Sequence, residues 1–114
     1  MINTAITEEV LSLTFNSDSF PMSTEIPLEK IKLADPKNIP QIKKILREQE
    51  LKLVLIDGTM WRPIITDIVH TIKKIRRRFR LNIIICIINQ DDLEIPDTVW
   101  EKNPENVQKY LRAA

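Results

Sequence analysis

Leu81-Asn82-Ile83-Ile84-Ile85-Cys86-Ile87-Ile88 decides the fold class of this chain. From Ile83 onward no polar residue interrupts the run, and branched side chains dominate it. A half-buried strand would show polar residues at a period of two. A strand without them is covered on both faces, as in a parallel sheet flanked by helices. Working backward, Leu51-Lys52-Leu53-Val54-Leu55-Ile56 repeats the pattern with Lys52 as its one polar break, and it stops at Asp57-Gly58. Read as strands over about 51–57 and 81–88, the two runs are expected to lie side by side. Gly58 is the sole glycine, and a positive φ is expected there.

Between these runs Ile65, Ile68, Val69, Ile72, Ile75 and Phe79 recur every three or four residues, which predicts a helix over about 63–79. A second helix, over about 40–49, rests on Ile39, Ile42, Ile45 and Leu46, with Lys43, Lys44, Arg47 and Glu48 left for solvent. Pro40 fits its first turn. Asn103-Pro104 is the start signal of a third helix, over about 104–112, which carries Val107, Tyr110 and Leu111. Near the amino end, Leu11, Leu13 and Phe15 fall on one side of a strand over about 10–15. Ile26 to Leu33 alternates, but its phase slips at Glu29-Lys30 and Pro27 removes a ladder donor, so 26–33 is expected at a sheet edge. Segments 1–8 and 16–24 are expected to be flexible. The order β-β-α-β-α-β-α predicts a single α/β domain over 1–114 with a mostly parallel core sheet and right-handed crossovers.

A hydrophobic content of 43% and a charged content of 29% belong to a globular chain. Cys86 is the only cysteine, so no internal disulfide can form. A thiol inside an apolar run reads as a small buried hydrophobe, consistent with a reducing cytoplasm. Residues 1–9 show no basic segment followed by an apolar one, and the longest apolar run, Ile83–Ile88, is far shorter than the ~20 residues that span a bilayer. A cytoplasmic location and no membrane partner are expected.

The net charge of +1 hides an asymmetry. Arg62 to Arg80 holds seven basic residues against Asp67, leaving ten basic and fifteen acidic residues elsewhere. Lys73, Lys74, Arg76, Arg77, Arg78 and Arg80, opposite the apolar stripe, form a candidate surface for a polyanion or an acidic protein partner. Cations at a helix carboxyl end also complement the macrodipole, which is the plainer use for them. Trp61 and Arg62 add a candidate anchor. No aromatic is interleaved with the cluster, which counts against single-stranded nucleic acid.

Asp57, Asp91 and Asp92 are expected to close adjacent parallel strands, where open α/β sheets bind ligands, and are the candidate Mg²⁺ ligands. Aspartate is also an ordinary turn residue after a strand. His70 has no Cys or His at ligand spacing, and one glycine cannot make a phosphate loop. No catalytic residue and no cofactor is therefore assigned. The reading is a small non-enzymatic binding or regulatory module acting through protein contacts, open to homo-oligomerisation. The alternatives are a nucleic-acid-associated protein using the basic helix 70–80, and a Mg²⁺-dependent phosphoryl-transfer enzyme or nuclease using the strand-end aspartates.

Overall fold

A computed structural model of the chain describes residues 8–16, 20 and 24–113. The expected flexible segments, 1–8 and 16–24, lie largely outside the described residues. Five strands, β1 (Val10–Leu13), β2 (Ile31–Ala34), β3 (Leu53–Asp57), β4 (Ile84–Ile88) and β5 (Val99–Glu101), form one sheet in the order β2-β1-β3-β4-β5. Every pairing is parallel, with Leu53 opposite Ile84 and Val10 opposite both Ile31 and Leu53. Among the described residues three helices, α1 (Ile39–Glu48), α2 (Arg62–Phe79) and α3 (Gln108–Ala113), flank the sheet of this α/β domain.

The layering follows from the strand order. From β2 to β3, β3 to β4 and β4 to β5 the chain steps one way across the sheet, while β1 to β2 steps the other way. Right-handed crossovers then place α1, α2 and the β4–β5 connection on one face, and the β1–β2 connection on the opposite face. The core divides accordingly. Leu11, Leu13, Val54, Ile56, Ile85 and Ile87 pack with the apolar stripes of α1 and α2 and with Leu93 and Ile95. Val10, Leu53, Leu55, Cys86 and Ile88 pack with Phe20, Ile26 and Val107, backed by Tyr110 and Leu111 of α3. Both central strands are buried on both faces, as their lack of polar alternation requires.

Several expectations are corrected. The strand expected over 10–15 ends at Leu13, and Phe15 is 55% exposed because it lies beyond the sheet. The segment 26–33 is not one strand. Leu28–Lys30 forms a 3-10 turn, which accounts for the phase slip, and β2 follows at the sheet edge. The third helix is likewise split, into a 3-10 turn at Pro104–Asn106 and then α3. Phe79 does not complete the buried stripe and is 47% exposed at the end of α2. β5 has no counterpart among the expected elements. Gly58 does not adopt a positive φ. It is glycine because a Cβ there would stand 2.5 Å from Asn89 Cβ and 2.7 Å from the Ile88 carbonyl oxygen. Positive φ falls instead on Glu25, Arg80, Glu94 and Asp97.

Candidate functional site

Among the described residues, the candidate site residues fall in two regions, one at each end of the α1–α2 layer. The first is the carboxyl edge of the sheet. The chain leaves β1 towards β2 and re-enters at β3, so the connections diverge between β1 and β3, the usual ligand crevice of such sheets. Asp57, buried at the end of β3, occupies that point. Thr14 Oγ1 donates to Asp57 Oδ2 at 2.6 Å, and Thr59 donates to Oδ1 from its backbone nitrogen at 2.9 Å and its hydroxyl at 2.6 Å. Thr14 Oγ1 in turn accepts from the Asn16 backbone nitrogen at 2.9 Å. This knot uses both carboxylate oxygens to fix the β1 and β3 loops.

The other two aspartates do not join it. Asp91 and Asp92 are exposed beyond β4, where Asp92 Oδ1 accepts from the Glu94 nitrogen at 2.8 Å and Asn89 Nδ2 donates to the Asp91 carbonyl at 3.0 Å. Both serve the turn that leads to β5. Among the described residues no group of three or more His, Cys, Asp or Glu side chains is placed to hold a metal ion. Cys86 lies in β4 with its thiol pushed up to about 12, first by burial and then by the Glu101 carboxylate, so it is inert as a nucleophile.

The second region is basic. The structure disperses the eight residues singled out for partner binding instead of gathering them on one face. Six cations within eight positions sweep more than half the circumference of a helix at about 100° per residue. Lys73 pairs with Asp97 at 2.8 Å, and that hydrogen bond and charge hold the Asp97 carboxyl below its usual range. Arg76 Nη1 donates to the Ile83 carbonyl at 3.0 Å and Arg62 Nη2 to the Leu93 carbonyl at 2.8 Å, so both arginines secure loops. Arg80 ends α2 in the left-handed conformation and faces a mixed-charge hollow at the amino edge of the sheet. Trp61, 71% exposed, precedes the first residue of α2, at the opposite end from the basic cluster.

Lys74, Arg77 and Arg78 remain, and α1 supplies two more cations. Lys43 and Arg47 line the same groove of about 540 Å³, together with Thr71, Ile75 and Phe79. No acidic residue lines it, and among the described residues none of the five cations is in an ion pair. The Arg78 guanidinium lies 5.7 Å from the centre of the Phe79 ring. The apolar spacing of α1 by itself leaves Lys43 and Arg47 to solvent. Their four-residue spacing, on a helix that the crossover rule places beside α2, was the available signal.

No known protein family, no curated protein and no solved structure matches this chain. Among the described residues no helix is long and apolar enough to cross a membrane.

Proposed function

We propose that this protein is a small non-enzymatic binding module that docks an anionic protein partner in the groove between α1 and α2. One observation carries the reading: Lys43, Arg47, Lys74, Arg77 and Arg78 converge on one groove that no acid lines. Like charges four residues apart, as at Lys43/Arg47 and Lys74/Arg78, each cost an isolated helix about 0.2–0.5 kcal/mol. Cations near the carboxyl ends of α1 and α2 recover part of this from the macrodipoles. One or two per helix end would do so, whereas facing two basic rows across a groove adds repulsion that an anionic occupant relieves.

The test is retention on immobilised heparin, a generic polyanion. Lys74→Glu/Arg77→Glu is expected to elute at markedly lower salt than the parent, whereas Lys44→Glu, on the exposed side of α1 outside the groove, elutes with the parent. Equal loss in both variants, or a parent that flows through, overturns the reading. Sedimentation of the same proteins identifies the partner class. A shift towards monomer in the groove variant alone marks the anionic partner as a second copy of this chain, whose sequence outside 62–80 is net acidic.

A further inference from the structure

We infer that the groove takes an acidic peptide segment carrying one large apolar side chain, in preference to a nucleic acid or a compact phosphate. This rests on the reading of the groove as the docking site and deepens it. The lining is amphipathic. Ile75 is buried at its base and Phe79 half exposed at its end, with Lys43 and Arg47 on one side and Lys74, Arg77 and Arg78 on the other.

A purely electrostatic surface has no use for an exposed phenyl ring. The ring sits where α2 ends, and substitution by a polar residue would interrupt no buried stripe. Arg78 lies close to it, so the apolar contact and the charge contact are adjacent. An acidic segment with a Phe, Leu or Trp among its carboxylates matches both at once. Apolar area supplies affinity, and the charges supply orientation and encounter rate.

A compact phosphate fits less well. Phosphate sites are built from backbone N–H groups at helix amino ends. Every lining residue of α2 lies in the carboxyl half of that helix and Arg47 in the last turn of α1, where the exposed backbone groups are carbonyls, while Lys43 sits mid-helix with its backbone N–H committed to the helix. An anion there would meet only side-chain tips. Duplex nucleic acid presents a long row of phosphates. The α2 wall of the groove runs only from Thr71 to Phe79, and Arg47 also borders a neighbouring hollow where Arg80 lies with Glu9, Glu48 and Glu50, a region of mixed charge.

The experiment uses the full chain and three fluorescent probes: an acidic twelve-residue peptide with one central Phe, the same peptide with Ala in that place, and a short DNA duplex. Anisotropy at moderate salt is expected to rank them in that order. Phe79→Ser is expected to weaken the Phe peptide about tenfold, the loss that goes with one buried apolar contact, and to leave the Ala peptide unchanged. Lys74→Glu/Arg77→Glu is expected to abolish binding of both peptides, with circular dichroism confirming that each variant is folded. If the two peptides bind alike and Phe79→Ser moves neither, the apolar anchor is overturned while the anionic reading stands. A duplex that outcompetes both peptides makes nucleic acid the occupant and overturns the inference. If no probe binds the parent, the inference and the proposed function fall together.

Discussion

Thr14 and Asp57, 43 residues apart in sequence, are joined by a buried hydrogen bond of 2.6 Å across the point where the sheet connections diverge. Losing one donor to a buried carboxylate costs about 1.5–3 kcal/mol when the acceptor is left unpaired. Thr14→Val is expected to lose stability in that range by urea denaturation. The double variant with Asp57→Asn is expected to cost less than the sum of the singles, because the two changes remove one shared interaction. Strict additivity would show that the bond contributes nothing of its own.

Gly58 is held by contact with β4. Gly58→Ala places a methyl group 2.5 Å from Asn89 Cβ and 2.7 Å from the Ile88 oxygen, while its backbone nitrogen donates to that oxygen at 2.8 Å. Forced overpacking of this kind costs about 1–3 kcal/mol. Adding Asn89→Gly is expected to recover only part of the loss, since the Ile88 carbonyl remains. A denaturation midpoint unchanged in Gly58→Ala would refute the close approach.

Ile85 lies in β4 with its side chain in the α1–α2 core, 1% exposed. Ile85→Ala is expected to cost about 2–4 kcal/mol through lost transfer energy and a cavity. A loss below about 1 kcal/mol, the size of an ordinary substitution, would contradict a central position for this strand.

Arg80 closes α2 at φ 53°, and the Arg76 carbonyl accepts from both the Arg80 and Leu81 backbone nitrogens. The left-handed conformation costs a residue with a Cβ about 1–2 kcal/mol, and glycine gives back about half of the relief through its freer unfolded chain. Arg80→Gly is expected to stabilise the protein by roughly 0.5–1 kcal/mol. Because Arg80 lies outside the basic groove, its heparin retention is expected to match the parent. A destabilised variant would show that the Arg80 side chain outweighs the backbone relief.

Glu101, at the end of β5, accepts from Lys109, Asn106 and the Tyr110 hydroxyl. Burial pushes its carboxyl up, but the Lys109 and Asn106 hydrogen bonds and the Lys109 charge outweigh burial, and the pKa lies below the ordinary 4.5. The folded state therefore binds this proton less readily than the unfolded state. The stabilisation is complete above about pH 4.5 and disappears as the pH falls through the lower folded value. Glu101→Gln is expected to melt below the parent near neutral pH, with the gap closing in acid. A gap that widens in acid would reverse the assigned sign.

The parts of the fold legible in sequence are those where burial leaves a one-dimensional trace. Ile83 to Ile88 and Leu53 to Ile56 have no solvent face, and α2 carries its buried apolar stripe for about three turns, from Ile65 to Ile75, so β3, α2 and β4 are legible directly. β5 is not, because Val99-Trp100-Glu101 is too short to show a period and follows a connection without a helix. Its position depends on pairing with Cys86, Ile87 and Ile88, and on the Trp100 indole donating to the Asn89 carbonyl at 3.0 Å. Phe15 continues an apolar pattern past the end of β1 and Phe79 does so at the last residue of α2, where spacing no longer implies burial. The basic groove was half legible. Lys74, Arg77 and Arg78 stood out as a charge run, but Lys43 and Arg47 joined them only once α1 and α2 were on the same face. The run itself also concealed that Lys73, Arg76 and Arg62 were committed to Asp97, Ile83 and Leu93.

The position of β1 makes three strands of the sheet inseparable. It lies between β2 and β3, and Val10 must find partners at Ile31 and Leu53. During synthesis β1 emerges before either neighbour, and it keeps an open hydrogen-bonding edge until Leu53–Ile56 has followed it, some forty residues later. Sheet formation must wait for that closure, and pairing across such separations is slow. Neither a fragment ending at β2 nor one beginning after β1 contains all three of the strands that meet at β1, so β1, β2 and β3 assemble together.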